Sequence, residues 1–443
     1  MKRDKQTLKD WLKNLDANQP VPEGDPRYVN FNAFETGNGE IVNLRGGDWF
    51  KPLFDCIDLS DQPTCQLFSG FSGTGKTTEL LRLKTSLSKN GYTVLWADAS
   101  DYHDLGHPLH IEELIVILAA AFGELSAGLL GNGVLKASYW ERFREFLQAE
   151  IDLKETRIPT STIDLKVALR NGGAPFWLQV RRFLDNSLGR LKKHAHAYIA
   201  ECAGLLHSRL EKPIVFIIDS LEKLRGIESD FNTIMQSVAD VFSNHSEFLK
   251  LPNCHVIYTV PPYAGFLGVG LSQKYHRVIM EPMPAVTVTD RYADTLAPIP
   301  DAPSYQALRS LIAKRIPLEE VFGAEANHLD RIILYSGGHV RTLINMVNHL
   351  IFKNAREDFP VSKNMVDATI RDFRRQAKAA IRPEGIPVLK IIGEKHDVSA
   401  VPESQLSQLA RYMDHHMVLC YRNGEDWYEV HPLVQEDIAS AEA

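Results

Sequence analysis

The sequence has few cysteines and no stretch suited to crossing a membrane. Its five cysteines are odd in number, widely scattered, and lack the close spacings of a zinc site or a disulfide framework. No run approaches the roughly 18 apolar residues that a bilayer-spanning helix requires, and the first residues lack the apolar core of a signal peptide. We therefore expect a cytoplasmic protein that does not enter a membrane.

Positive charge is not in excess either. Lys and Arg total 49 against 56 Asp and Glu, which gives a net charge of -7. Nothing therefore draws the chain as a whole toward nucleic acid or an acidic membrane, and any such contact has to be local. The 443 residues, 44% of them hydrophobic, are enough for about three domains of roughly 150 residues each.

A glycine-rich motif stands near residue 70. Gly70-Phe-Ser-Gly-Thr-Gly-Lys-Thr77 fits G-x-x-x-x-G-K-[ST], between an apolar run and a helix-period stretch from Lys76 to about Lys89. Backbone N–H groups of such a loop cradle a triphosphate, Lys76 reaches its β- and γ-phosphates, and Thr77 offers its hydroxyl to Mg²⁺. The predicted nucleotide-binding residues of this motif are Gly70, Ser72, Gly73, Thr74, Gly75, Lys76, Thr77 and Thr78.

Short apolar runs alternate with helical patterns over the first 290 residues. The predicted strands after the loop are Tyr92–Asp98, Pro213–Asp219, Cys254–Thr259 and His276–Met280. This alternation predicts an α/β fold with a parallel sheet, interrupted by a mostly helical insertion at about 123–212.

Acidic and hydroxyl side chains stand at or just after two of these strand ends. Asp219 is the candidate that holds magnesium through water, and its alternative is a helix N-cap or turn aspartate. Glu222 is either the catalytic base or a solvated carboxylate at a helix start. Thr259 either contacts the γ-phosphate or the attacking water, or is an ordinary β-branched strand residue.

A second glycine motif begins the helical region after the sheet. In Ser336-Gly-Gly-His-Val-Arg341 two glycines permit a tight turn, and Arg341 stands in the first turns of the helix that follows. A cation there opposes the helix dipole, which favours a phosphate-sensing role over that of a surface arginine.

The C-terminal region combines short helices with a predicted hairpin across Asn423-Gly424, a pattern that suggests a winged helix. Residues 381–443 hold five Lys and Arg against eleven Asp and Glu, a balance that disfavours duplex binding. Trp427 is expected to pack rather than to stack on a base. The basic cluster Arg371–Lys378 is expected to be a solvated helical face.

Together, the loop, Phe216-Ile-Ile-Asp-Ser-Leu-Glu-Lys-Leu224 and Ser336-Gly-Gly-His-Val-Arg341 resemble prokaryotic AAA+ ATPases of the STAND and origin-initiator-like branch. The resemblance implies an ATPase core, a helical lid with a second sensor arginine at Arg341, and often a winged-helix domain. It also implies that Tyr28, in the lead-in to the core, lies near the adenine. Ser220 departs from the family, because many members place the catalytic glutamate at that position.

The resulting fold prediction is a P-loop NTPase core of AAA+ type, followed by an all-helical lid and a small winged-helix-like domain. The predicted division is an N-terminal arm (1–60), a core (61–290), a lid (291–380) and the winged-helix-like domain (381–443). The preferred function is a slowly hydrolysing switch that uses ATP and Mg²⁺, with a protein partner or effector, in signalling or anti-phage defence. Two alternatives stay open: a DNA-binding initiator or transposition regulator, and a nucleotide-bound scaffold without turnover. Homo-oligomers are compatible with the resemblance.

Overall fold

The computed structural model describes residues 2–131, 137–150, 187–224, 231–267, 270–291, 295–323 and 327–441. The chain divides into two compact units. The first contains Met1–Trp49, Phe71–Arg82 and Pro282–Ala443, and the second contains Phe50–Gly70 and Leu83–Glu281. The four-part division expected along the sequence stays a prediction, and parts of the expected helical insertion, at 132–136 and 151–186, lie outside the described residues.

Strands and helices follow in chain order with these bounds. The strands are β1 (Phe34–Glu35), β2 (Ile41–Val42), β3 (Cys65–Gly70), β4 (Thr93–Asp98), β5 (Ile214–Asp219), β6 (His255–Val260), β7 (Arg277–Met283), β8 (Val418–Asn423) and β9 (Glu425–Val430). The helices up to β7 are α1 (Lys5–Asn14), α2 (Lys51–Asp58), α3 (Lys76–Lys89), α4 (Ile111–Leu130), α5 (Ala137–Glu150), α6 (Leu188–Leu210), α7 (Phe231–Ala239), α8 (Ala264–Leu267) and α9 (Leu271–Lys274). The helices after β7 are α10 (Pro303–Ala313), α11 (Leu318–Phe322), α12 (Asn327–Tyr335), α13 (Val340–Lys353), α14 (Lys363–Ala379), α15 (Ile386–Lys395), α16 (Leu406–Asp414) and α17 (Gln435–Ser440).

A five-stranded sheet with the order β4-β5-β6-β3-β7 is the framework of the second unit. β4, β5, β6 and β3 are parallel, and their register pairs Asp98 with Asp219 and Phe68 with Thr259. Every residue of β3, β5 and β6 is buried. Continuous burial of this kind is typical of parallel strands covered on both faces. The predicted α/β class with a parallel P-loop sheet is confirmed, and all five predicted strands are present.

Helix α4 is apolar along most of its length, although Glu112, Glu113 and Glu124 interrupt that character. Among the described residues, α4 is the one helix that is long and apolar enough to cross a bilayer, judged by length and composition alone. However, 67% of its most apolar window is buried in the protein, and it packs against α6. A buried core helix meets the same length and composition criteria.

The first unit contains a helical region in which the N-terminal arm takes part. The Asp4 side chain accepts hydrogen bonds from the N–H groups of Gln6 and Thr7 and so caps α1. Asn348 of α13 donates its side-chain amide to the carbonyls of Leu12 and Leu15. The arm is therefore held to the helices that follow the sheet.

The C-terminal hairpin has the predicted turn. β8 and β9 are antiparallel, and Gly424 adopts φ +108° between Asn423 and Glu425. Ala285, Leu419, Tyr421 and Trp427 form a buried apolar cluster. Trp427 is fully buried, so the structure shows packing rather than a surface for stacking on a base.

The basic cluster at the end of α14 makes ion pairs. Arg374 pairs with Glu436 and Asp437 at 3.0 and 2.9 Å, and Lys378 pairs with Asp437 at 2.7 Å. Lys378 is exposed and Arg374 is partly exposed, so the face is solvated as expected and forms ion pairs with the acidic start of α17 at the surface.

Candidate functional site

The predicted phosphate loop lies between a strand and a helix, as the motif requires. Gly70 is the last residue of β3, and α3 begins at Lys76. Gly73 and Gly75 adopt φ +88° and +103°, a left-handed backbone that residues with a Cβ rarely take. Two glycines of the motif are therefore required by the turn itself.

Buried polar groups hold the loop backbone. The Lys76 ammonium donates to the Phe71 carbonyl at 2.9 Å, and the Thr74 hydroxyl donates to the same carbonyl at 2.9 Å. Lys76 is 3% exposed. Thr77 and Thr78 stand in the first turn of α3 and are partly exposed. The loop therefore has the backbone turn, the lysine and the helix N-terminus that a triphosphate needs.

The start of α13 contacts this loop directly. The Arg341 guanidinium donates to the Ser72 hydroxyl at 2.9 Å, and the Arg341 backbone N–H donates to the Gly73 carbonyl at 3.2 Å. His339 contacts the Ser72 carbonyl through Nε2 at 2.7 Å. The structure thus brings Arg341 to the loop across a separation of 269 residues.

The contact leaves no room for a side chain at position 73. A Cβ on Gly73 would stand 2.7 Å from the Cβ of Arg341 and 2.8 Å from Cε1 of His339. Both distances are shorter than a van der Waals contact. Gly73 therefore serves both the left-handed turn and the approach of the helix.

The acidic strand end lies in the second unit. Asp219 is 2% exposed and accepts a hydrogen bond from the Ser220 N–H. Ser220 adopts φ +75°, and a 3-10 turn over Leu221–Lys223 follows. Glu222 in that turn is 3% exposed, so it is not a solvated carboxylate.

Ser220 and Thr259 have defined partners at this end of the sheet. The Ser220 hydroxyl donates to Asp98 at 2.9 Å and accepts from the Lys223 ammonium at 2.8 Å. The Thr259 hydroxyl accepts from the Leu221 N–H at 3.1 Å. Thr259 therefore supports the turn that carries Glu222.

Lys76, Thr77 and Arg341 belong to the first unit, whereas Asp219, Glu222 and Thr259 belong to the second. The structure brings Arg341 to the loop that ends in Lys76 and Thr77, and Thr259 to the turn that holds Glu222. Whether any of these residues acts on a nucleotide stays a prediction.

Tyr28 belongs to the first unit, as the loop from Phe71 does. Its hydroxyl is buried and has no hydrogen-bond partner among the described residues. Burial raises the pKa of Tyr28 to about 12, and the charges that act on its pKa most strongly are those of Arg82 and Glu79 on α3. Its role near the adenine stays a prediction.

Arg45 is a residue of this site that the sequence analysis missed. Its guanidinium donates to the Thr74 carbonyl at 2.5 Å, and only 2% of the residue is exposed. Burial lowers the pKa of Arg45, while the nearby Glu79 opposes that change. Glu79 also accepts hydrogen bonds from Asn32 and Arg82. Only the basic residue type at position 45 could have suggested the contact, and Arg45 shares that with many surface residues.

Among the described residues, no group of three or more histidines, cysteines or carboxylates is placed to hold a metal ion. This includes His103, His107 and His110, which follow β4. In nucleotide sites Mg²⁺ keeps several waters and is held by one or two protein groups together with the phosphates, so its fit here depends on a nucleotide.

Comparison with known proteins gives no family. No protein-family model and no curated protein matches the chain. The match with Drosophila ORC bound to DNA covers 100% of this chain and 94% of that chain, at 11% identity and a TM-score of 0.35. The match with the Aeropyrum pernix ORC2 protein in its ADP form covers 96% of each chain, at 11% identity and a TM-score of 0.41. The match with Cdc6p from Pyrobaculum aerophilum covers 88% of this chain and 92% of that chain, at 11% identity and a TM-score of 0.34. All three TM-scores lie below 0.5, so these likenesses carry no conclusion about function.

Proposed function

We propose that the chain is a nucleotide-dependent switch that binds Mg-ATP at residues 70–77 and hydrolyses it slowly. The observation that carries this proposal is the contact of Arg341 with the loop. A guanidinium 2.9 Å from the Ser72 hydroxyl stands beside the backbone that the motif assigns to phosphate. The resemblance of the three motifs to AAA+ ATPases of the STAND and origin-initiator-like branch supports the same function.

Each residue has a defined part in this proposal. Lys76 neutralises the β- and γ-phosphates, and Arg341 adds a second positive charge from the helix that follows the glycine turn. A triphosphate shifts the equilibrium toward the closed lid only if it binds that form better, and the contact of its γ-phosphate with Arg341 provides the difference.

Mg²⁺ fits the residue types present. The Thr77 hydroxyl and the Asp219 carboxylate are hard oxygen ligands of the kind that Mg²⁺ prefers. When bound, the ion supplies positive charge to the transferring phosphoryl group. Glu222 is the proposed base, and Thr259 supports the turn on which it stands. Ser220 provides a hydroxyl where related enzymes place a carboxylate, so we expect turnover to be slow.

Nucleotide binding and turnover test the proposal in one set of variants. Lys76→Ala should abolish both, because the phosphates lose their central cation. Arg341→Ala should weaken ATP binding about tenfold and ADP binding less, with the exposed Arg356→Ala as the matched control on the same region. Equal affinities of wild type and Lys76→Ala for Mg-ATP, measured by titration, would reject the loop as the site.

Further measurements separate the alternatives. Glu222→Gln should retain binding and lose turnover, whereas binding without any turnover in the wild type identifies the scaffold. Duplex DNA binding that weakens steeply between 50 and 200 mM salt identifies the initiator. Sedimentation with and without ATP reports a homo-oligomer.

A further inference from the structure

His339 has a hydrogen bond at each ring nitrogen. Nδ1 lies 2.7 Å from the Thr342 hydroxyl and 3.3 Å from the Thr342 backbone N–H, and this contact caps α13. Nε2 lies 2.7 Å from the carbonyl oxygen of Ser72. One ring therefore joins the start of α13 to the phosphate loop.

These partners define the tautomer. A ring nitrogen that accepts a hydrogen bond from a backbone N–H carries no proton, so Nδ1 is unprotonated and Nε2 is protonated. Nε2 then donates to the Ser72 carbonyl, which can only accept. His339 is 1% exposed, and burial lowers its pKa to about 3, so the ring is neutral at physiological pH.

The bond to Ser72 constrains the part of the loop that would meet phosphate. A peptide group is planar, and its carbonyl and the following N–H point to opposite sides. With the Ser72 carbonyl held by His339, the Gly73 N–H points away from the His339 ring. The Gly73 carbonyl is held in turn by the Arg341 N–H at 3.2 Å.

The ring also rests directly on the loop. A Cβ on Gly73 would stand 3.0 Å from Nε2 of His339. The centroid of the ring also lies 4.4 Å from that of the His416 ring. His339 therefore has little freedom to turn away from Ser72.

We propose that His339 is a positioning residue of the phosphate loop, which holds the Ser72–Gly73 peptide so that the Gly73 N–H is ready to bind a nucleotide phosphate. This role rests on the proposed function. It differs from that of Arg341, because His339 acts only through the backbone of the loop and does not touch the nucleotide.

Two substitutions at position 339 each retain one of the two hydrogen bonds and remove the other. In His339→Asn the side-chain oxygen reaches the place of Nδ1 and keeps the helix cap, but nothing reaches Ser72. In His339→Gln the longer amide reaches the place of Nε2 and keeps the bond to Ser72, but the cap is lost. The affinities of the two variants for Mg-ATP should therefore not follow their thermal stabilities.

We expect His339→Asn to bind Mg-ATP about tenfold more weakly than wild type, since one hydrogen bond is worth up to about that factor. It should also melt at a lower temperature, because the buried Ser72 carbonyl loses its donor. His339→Gln should bind within about threefold of wild type and melt at a lower temperature. Affinity that follows the melting temperature in both variants, or unchanged binding by His339→Asn, would overturn the role of His339.

Two controls keep this result distinct from the proposed function. Absence of Mg-ATP binding by the wild type, matching Lys76→Ala, overturns the proposed function and with it the role of His339. Binding by the wild type that is lost in Lys76→Ala but unaffected in His339→Asn overturns the positioning role alone. Nitrogen-15 NMR of the histidine ring should show the proton on Nε2, and a proton on Nδ1 would contradict the hydrogen-bond assignment.

Discussion

At the scale of single residues, the loop depends on a glycine for two separable reasons. Gly73 has φ +88° and a crowded Cβ position, whereas Gly91 has φ +89° and no atom within 4 Å of its Cβ position. Comparison of the two therefore separates backbone conformation from the approach of α13.

We predict that Gly91→Ala lowers the free energy of unfolding by about 1 kcal/mol, the usual cost of a left-handed backbone with a Cβ. Gly73→Ala should lower it by about 1–3 kcal/mol more, because Arg341 and His339 have to move. Urea unfolding measures both variants. Equal losses would show that α13 does not lie against the loop in solution.

Arg45 and His339 show why residue types alone do not reveal a site. Arg45 binds the Thr74 carbonyl from 29 positions away, and His339 binds the Ser72 carbonyl from 267 positions away. Neither residue stands in a pattern that marks its partner. By contrast, Lys76 and the glycines of the loop act through neighbours in the chain, so a short motif identifies them.

At the scale of the element, the strand β9 carries a buried carboxyl group. Glu429 is 2% exposed, and one of its oxygens lies 3.1 Å from Nδ1 of His396. Burial raises the pKa of Glu429 to about 7 from an ordinary 4.5, and the hydrogen bond from the Val430 N–H only partly opposes this. Burial also lowers the pKa of His396, so that ring is neutral at pH 7 and supplies no charge to compensate.

This raised pKa makes the stability of the hairpin depend on pH. Between about pH 4.5 and 7 the folded state keeps a proton on Glu429 that the unfolded state has released. Stability must then fall as pH rises through that window and level off above it. The stability difference between wild type and Glu429→Gln should fall by up to about 3 kcal/mol from pH 5 to pH 8.

Urea unfolding at pH 5, 6, 7 and 8 measures this difference. Glu425→Gln, at the exposed start of the same strand, serves as the control and should show a constant difference from wild type. Parallel pH profiles of Glu429→Gln and wild type would contradict the buried, protonated state of Glu429.

The predictions of helices and strands are confirmed where one local signal in the sequence dominates. The helix after the loop spans Lys76–Lys89, as its apolar spacing indicates, and the hairpin turns at Asn423-Gly424. The basic cluster of α14 is a solvated face as expected, but its ion-pair partners Glu436 and Asp437 come from a later helix and no local signal indicated them. A helical wheel shows which residues share a face but not what covers that face.

At the scale of the whole molecule, the hairpin is joined to the glycine turn before α13. The Tyr421 hydroxyl donates to the Gly337 carbonyl at 2.8 Å, and both groups are buried. A Cβ on Gly337 would stand 2.4 Å from Leu419 of β8, so this turn also needs its glycine. Contacts thus run from the phosphate loop through α13 and its turn to the hairpin, all within the first unit.

We predict that Tyr421→Phe lowers the free energy of unfolding by about 1–3 kcal/mol, because it leaves the Gly337 carbonyl buried without its donor. Tyr92→Phe removes an exposed hydrogen bond to Asp58 and should cost less than about 0.5 kcal/mol. Denaturant unfolding compares the two. Similar small losses would show that water reaches Gly337 and that the hairpin is loosely held.

The amino-acid sequence by itself determined the parallel sheet, the phosphate loop with the helix after it, the double-glycine turn and the C-terminal hairpin. Each of these depends on neighbours along the chain: a glycine that permits a positive φ, an apolar period, or a strand long enough to be buried. Only the tertiary structure decided that His339 and Arg45 meet the loop, that Arg341, for which the glycine motif favoured a phosphate-sensing role, bonds to Ser72, and that Glu429 is buried away from water. Such contacts and the desolvation that accompanies them depend on which distant segments pack together, and no local pattern records that.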